Sequence, residues 1–200
     1  MTTQMTDGIT YEGESFQICG CNGPEFFDPK EHGLNPKAPS TACYRGWVGE
    51  YIVTDRLFLR DLYVFHDAGL PVKNKTANGP VIGGVAPTKP ESWGGFNCFY
   101  KDLNFSTSFS GGLLIASGFV RELAVNMGYH PFWKYTRVIE LLFEDGKLLE
   151  ASDKSSVAQE IREKHLVPGF LNRPSLSDDQ AVMKWIEDSF SLRYSLVGAP

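Results

Sequence analysis

The chain has 200 residues, 42% hydrophobic, 13% aromatic and 22% charged. That is enough apolar mass for one sizeable core and too balanced a composition for disorder of the bulk, so a single domain over 1–200 is expected. The net charge of −5 and the lack of any Lys/Arg cluster argue against nucleic acid as a partner.

No apolar run approaches the ~20 residues of a membrane-spanning helix, so no membrane partner is expected. The start, MTTQMTDGITYEGE, has neither the basic residues nor the apolar segment of a secretory signal. A cytoplasmic location follows as the expectation. It would leave Cys19, Cys21, Cys43 and Cys98 as reduced thiols.

Residues 1–7 are polar and expected to fray. Residues 9–19 read as a first strand, with Ile9, Tyr11, Phe16 and Ile18 as its apolar positions. Residues 20–40 read as loop, punctuated by Gly20, Gly23, Pro24, Pro29, Gly33, Pro36 and Pro39. Residues 41–62, TACYRGWVGEYIVTDRLFLRDL, spell a β-hairpin. A three-residue loop Thr54-Asp55-Arg56 sets Val53 opposite Leu57, Ile52 opposite Phe58 and Tyr51 opposite Leu59. Further on it sets Glu50 opposite Arg60, Val48 opposite Leu62 and Trp47 opposite Tyr63. A shift by one residue would set Glu50 against Asp61, a like-charge pair that costs stability.

Residues 65–95 form a long Gly/Pro-rich loop, with Val81-Ile82 as a short edge strand at most. A loop of this length is either a binding loop or a surface meander. Residues 96–105 and 112–116 read as strands with a turn at 106–111. Residues 119–127 fit either a helical stripe or a strand. Residues 135–151 form a second hairpin, with Asp145-Gly146 as the turn, Glu144 and Lys147 flanking it and Phe143 facing Leu148. Two helices close the chain. Ser155 or Ser156 caps one running to about residue 165. Ser177 with Gln180 begins another, to about residue 190, which buries Val182, Trp185, Ile186 and Phe190. The fold class is α+β: an antiparallel sheet of hairpins with two C-terminal helices packed on it.

Chemistry-bearing patterns are incomplete. Cys19-Gly20-Cys21 could ligate zinc with His32 and Cys43. Structural zinc sites space paired ligands by two to four residues, and only one pair is present, so no metal is expected. Cysteine–histidine pairings with His32, His66, His130 or His165 lack any nucleophile signature. Glu50, Asp61, Asp102, Glu122 and Glu140 could meet across the sheet, but their spacing promotes no pair. The glycine pairs in 82–85 and 110–113 carry no phosphate-binding fingerprint, and no cofactor is expected. Exposed aromatics are the better candidates: Trp93, and Phe132-Trp133 within the block 129–133, although burial as core is the favoured reading of that block.

Three groups of residues carry a resemblance: 27–29 with 33–36, then Ser40-Thr41-Ala42-Cys43-Tyr44-Arg45-Gly46, then 111–115 with 126–129. Together they resemble a group of small bacterial cytosolic proteins marked by an aromatic-Arg-Gly-aromatic strand start and a Leu-rich hairpin. The resemblance implies a bacterial source and a stand-alone domain, and it carries no catalytic residues. Proteins of this kind are often operon partners, immunity proteins among them.

The leading expectation is a non-enzymatic cytosolic domain that binds another protein, as an immunity, antitoxin-like or accessory protein. An acidic surface would suit a basic partner. The alternative is an enzyme or small-ligand binder with its site under the 65–95 loop. Arg45, Glu50, Arg60, His66, Trp93 and Trp133 are its candidate binding residues, with Arg45 as a guanidinium able to clamp a carboxylate or phosphate. A zinc-stabilised module through Cys19 and Cys21 is the third and weakest.

Overall fold

The computed structural model describes residues 2–67, 79–91 and 94–166, together with Gln180, Val182 and Met183. Among the described residues nine strands form one sheet: β1 (Gly8–Tyr11), β2 (Glu14–Asn22), β3 (Trp47–Val53), β4 (Leu57–Val64), β5 (Cys98–Tyr100), β6 (Phe105–Ser106), β7 (Gly111–Phe119), β8 (Tyr135–Glu144) and β9 (Lys147–Asp153). One α-helix, α1 (Ser155–Leu166), follows. The strand order is β5-β4-β3-β1-β2-β7-β8-β9, with β6 beside β4. The sheet is mostly antiparallel but mixed, because β1 runs parallel to β3. Of the two helices that the sequence predicts, α1 is the one whose range is described. The second lies outside the described residues except for Gln180, Val182 and Met183, which are helical.

The expected first strand is two strands. Glu12 and Gly13 both take positive φ, 51° and 78°, and fold residues 8–22 into a hairpin with Tyr11 opposite Glu14. Positive φ at both central positions is the two-residue turn that matches strand twist. Asp145-Gly146 makes the same turn in the expected second hairpin, where Glu144 faces Lys147 and Phe143 faces Leu148. Residues 119–127 are neither expected alternative throughout: β7 ends at Phe119 and a short 3-10 turn covers Arg121–Leu123. Residues 2–7 are hydrogen-bonded where fraying was expected. The amide of Gln4 donates to Gly128 and that of Met5 to Ala42.

The β3–β4 hairpin follows the expected pairing from Val53–Leu57 to Tyr51–Leu59 and then departs from it. A bulge shifts the register, so Glu50 faces Asp61, Val48 faces Tyr63 and Trp47 faces Val64. The reason is burial. Leu57, Leu59, Leu62 and Val64 are all fully buried in one cluster, and only an extra residue between 59 and 62 keeps the four on one face. Arg60 Nε bonds the Asp61 carboxylate at 2.9 Å, which tempers the like-charge pair. Asp61 also accepts from the Asp102 amide at 2.8 Å.

The sheet curls around the larger core. Trp47, Tyr51 and Val53 of β3, the four inward residues of β4, Leu113 and Ile115 of β7, and Ile139, Leu141 and Phe143 of β8 all point into it. Backbone bonds then join one margin to the other: the Leu57 amide donates to Gly146 (2.8 Å) and the Leu148 amide to Asp55 (2.9 Å). On the outer face α1 covers Cys19, Leu114, Ala116, Trp133, Tyr135 and Val138 with Ala158. The Asp153 carboxylate, not a serine, accepts from the first helical amide, that of Ser155. The Ser155 hydroxyl instead accepts from the Val138 amide of β8.

Candidate functional site

A cleft of about 280 Å³ opens beside the large core, where β2 and β3 meet the loop after Asn22. Its walls include Asp7, Ile18, Cys21, Glu25, Phe26, Arg45, Trp47 and Tyr129. Two grooves of about 500 Å³ lie elsewhere, one around His32 and Arg56 and one around Gln17 and His130. The smaller cleft is set apart by an enclosed ion pair in its wall, with an unpartnered hydroxyl buried behind it.

Asp7 enters it from the segment before β1 and is 7% exposed. Its carboxylate takes two bonds from the Arg45 guanidinium, Nη1 at 2.8 Å and Nη2 closer still. It also accepts the Gly49 amide at 2.6 Å. Arg45 Nε donates to the Trp47 carbonyl at 2.7 Å, and the guanidinium lies 4.2 Å from the Trp47 ring centroid. Burial on its own would lower the Arg45 pKa, but Asp7 outweighs it and holds the value above that of an ordinary arginine. The two opposite charges largely cancel within the wall.

Tyr51 is fully buried. Its hydroxyl has no hydrogen-bond partner among the described residues, whereas buried hydroxyls normally have one. Burial first, then Asp7, push its pKa well above 10, while Arg45 opposes. Gly49, two residues earlier on the same face, leaves the room its ring occupies, since a side chain there would strike that ring. Phe26, on the cleft wall, packs edge-on against Tyr51 with centroids 4.9 Å apart. Three further groups line the cleft. Burial raises the pKa of Tyr129 and raises Cys21 to about 11, so both stay protonated. Glu25 is exposed, and desolvation followed by Asp28 raises its carboxyl.

Of the six candidate binding residues Arg45 lines this cleft, as does Cys21, a zinc candidate. Glu50 sits on the opposite face of β3, against Gly8 and Asp61, its pKa raised by burial with Arg60 opposing. Arg60 is spent on Asp61. His66 Nδ1 accepts the Asn35 amide at 2.9 Å, its backbone is bracketed by Asn97, and burial lowers its pKa. Trp133 is buried on the outer face under α1. Trp93 lies outside the described residues. The described part of the 65–95 loop packs on β5, where the Tyr100 hydroxyl donates to Pro80 and Thr88 bridges Phe99.

The Cys-Gly-Cys pair is divided by geometry. The register of β2 against β7 shifts between Ile18 and Gly20, leaving Cys19 as an extra residue. Cys19 therefore packs with the outer cluster and Cys21 with the inner one. Two thiols on opposite faces of a sheet do not ligate one ion. No group of three His, Cys, Asp or Glu among the described residues could hold a metal. Of the candidate carboxylates, Glu140 pairs with Lys154 at 2.9 Å, and Glu50 with Asp61 is the couple that meets across the sheet.

Sequence reasoning missed Asp7, Glu25 and Tyr51, and had Tyr129 only as part of the aromatic block 129–133. A signal for Tyr51 was present: it is the polar-tipped residue of the inward row Trp47, Gly49, Tyr51, Val53, with a glycine beside it. No helix among the described residues is long and apolar enough to cross a membrane. No family model matches the chain, and comparison with curated proteins and with solved structures finds no significant similarity.

Proposed function

We propose that the protein binds a small molecule in the cleft between Arg45, Glu25, Phe26 and Tyr129. The observation that carries this is the enclosed Asp7–Arg45 ion pair in the cleft wall, with the Tyr51 hydroxyl, buried and without a hydrogen-bond partner among the described residues, behind it. Two of the five N–H groups of Arg45 have no acceptor among the described residues, and a ligand atom can take them. Apolar walls with a few convergent polar groups are the usual make-up of ligand sites. This moves the ligand-binding alternative away from the 65–95 loop while keeping Arg45. The expectation of a protein partner has less to rest on: the large exposed apolar residues Tyr44, Val81, Leu149 and Met183 stand on separate segments.

The test is a fragment screen read by amide chemical shifts of the whole labelled protein. Binding fragments should move the amides of 23–26, 45–47 and 129 together. If no fragment binds, or if the shifts cluster elsewhere, the proposal fails.

A further inference from the structure

The groove around Gln17 and His130, of about 500 Å³, lies where β2 and β7 run side by side. Its floor is low because Ala116, opposite Gln17, and Gly118 are small. Gly118 has to stay so: its φ is 72°, and a side-chain carbon there would strike the Thr136 hydroxyl. One wall is aromatic. The half-buried Phe119 ring stands 4.6 Å from the His130 ring and edge-on to Tyr135 at 5.3 Å.

Among the described residues, no Asp, Glu, Lys or Arg lines this groove. His130 is uncharged at neutral pH, since burial and then Lys134 lower its pKa to about 4. Lys134 is itself 1% exposed, its ammonium over the Trp133 ring. Beside Phe16, Glu14 and Arg137 pair with each other. An ionic ligand would give up hydration here without a counter-charge in the lining to replace it.

The polar groups of the lining are of another kind. The Tyr135 hydroxyl donates to Gln17 Oε1 at 2.7 Å, which leaves the two N–H groups of that amide. The Ser15 and Ser117 hydroxyls have no hydrogen-bond partner among the described residues. His130 keeps Nδ1 buried and leaves Nε2 accessible, likewise without a partner among them. Serine hydroxyls rotate to donate or to accept, and a neutral imidazole nitrogen does either by tautomer. Such a set suits a ligand whose own groups also do both, namely hydroxyls, better than the fixed donor–acceptor edge of a planar base.

We propose that this groove binds a neutral sugar. One pyranose ring lays its C–H face against Phe119, whose negative π face attracts polarised hydrogens, and turns its hydroxyls to Gln17, Ser15, Ser117 and His130. The volume falls within the ~300–1,000 Å³ of small-molecule sites. The groove shares no lining residue with the cleft beside Asp7, so the two sites stand or fall separately.

The probes are D-glucose and D-galactose, each beside its 2-amino and its uronate form. They are titrated into the full labelled chain at about pH 6, where the amine is a cation and the uronate an anion, and followed by amide shifts. Glucose or galactose should move the amides of 15–17, 116–119, 130 and 135 together, and its two charged forms should bind about fivefold more weakly. Phe119→Leu keeps apolar bulk without the flat face and should weaken the neutral sugar about fivefold. Ser117→Ala should do so by a similar factor, that of one hydrogen bond. In both variants the amide spectrum outside the groove should stay native. Neither sugar shifting these amides would overturn the proposal, as would a charged form binding as tightly or a folded variant binding as the native protein does. Shifts at 23–26, 45–47 and 129 instead would overturn it as well, and would put the sugar in the cleft beside Asp7.

Discussion

Asp7 is the residue on which the cleft turns. It holds a guanidinium 38 positions away in the chain and the amide of Gly49 in β3 at once. Replacing it by alanine leaves Arg45 largely enclosed without its counter-charge. Asp7→Ala should cost about 3 kcal/mol, the low end for breaking a buried ion pair because the Arg45 side chain is still 28% exposed; the midpoint of urea unfolding reads this directly. His130 makes a second, separate prediction. Burial first, then the Lys134 ammonium, depress its pKa to about 4 against an ordinary 6.5, and its Nδ1 has no partner among the described residues. Below pH 6.5 the unfolded chain takes up a proton that the folded chain refuses. The stability this histidine supplies is therefore full above 6.5 and lost as pH falls toward 4. Urea midpoints measured from pH 7 to 4 should drop less steeply in His130→Asn than in the native protein.

At the scale of elements, the two-residue turns separate conformational strain from crowding. Gly13 and Gly146 have nearly the same φ, 78° and 76°, but a side-chain carbon at Gly13 meets nothing, whereas at Gly146 it runs into the Thr107 carbonyl. Gly13→Ala should cost about 1–2 kcal/mol for left-handed backbone, and Gly146→Ala clearly more, by thermal unfolding of the two variants side by side. The Arg60–Asp61 bulge gives another contrast. Asp61→Asn keeps the acceptor for the Asp102 amide and removes the charge facing Glu50, so its stability should stay within about 0.5 kcal/mol of native. Asp61→Ala loses that acceptor and should cost about 1 kcal/mol.

The same elements mark what was readable in the sequence. Both hairpins at 41–62 and 135–151 were, because alternation and turn residues are local signals. Glu12-Gly13 was not, because Glu rarely adopts positive φ and the pair carries no habitual turn signature. The bulge was not, because charge pairing across Glu50 and Arg60 was weighed where the inward row Leu57, Leu59, Leu62, Val64 decides; burial of four large side chains outweighs one exposed ion pair. Arg45 was singled out by its type. Its partner Asp7, and Tyr129 across the cleft, come from distant segments that no local pattern connects.

For the whole molecule, the joined margins define how it opens. The amides of Leu57 and Leu148 close the curl by bonding Gly146 and Asp55. If the curl holds as one cooperative unit, these two exchange as slowly as the amides within β7 and β8; if the margins part independently, they exchange faster, and hydrogen exchange resolved by residue distinguishes the two.

The parallel contact of β1 with β3 places the earliest-made hairpin in the middle of the sheet, between β3 and β7. During synthesis, β1 and β2 emerge first and wait. One side is met after some twenty-five residues of intervening chain, the other only when β7 emerges, about ninety residues past the end of β2. Long loop closures of that kind slow folding and lengthen the interval in which bare strands can pair with a neighbouring chain. The hairpin is at the same time a detachable wedge. Expressing 23–200 apart from a peptide of residues 2–22 would divide the sheet at its centre, and the two pieces would regain the fold, and the Asp7 arm of the cleft, only together.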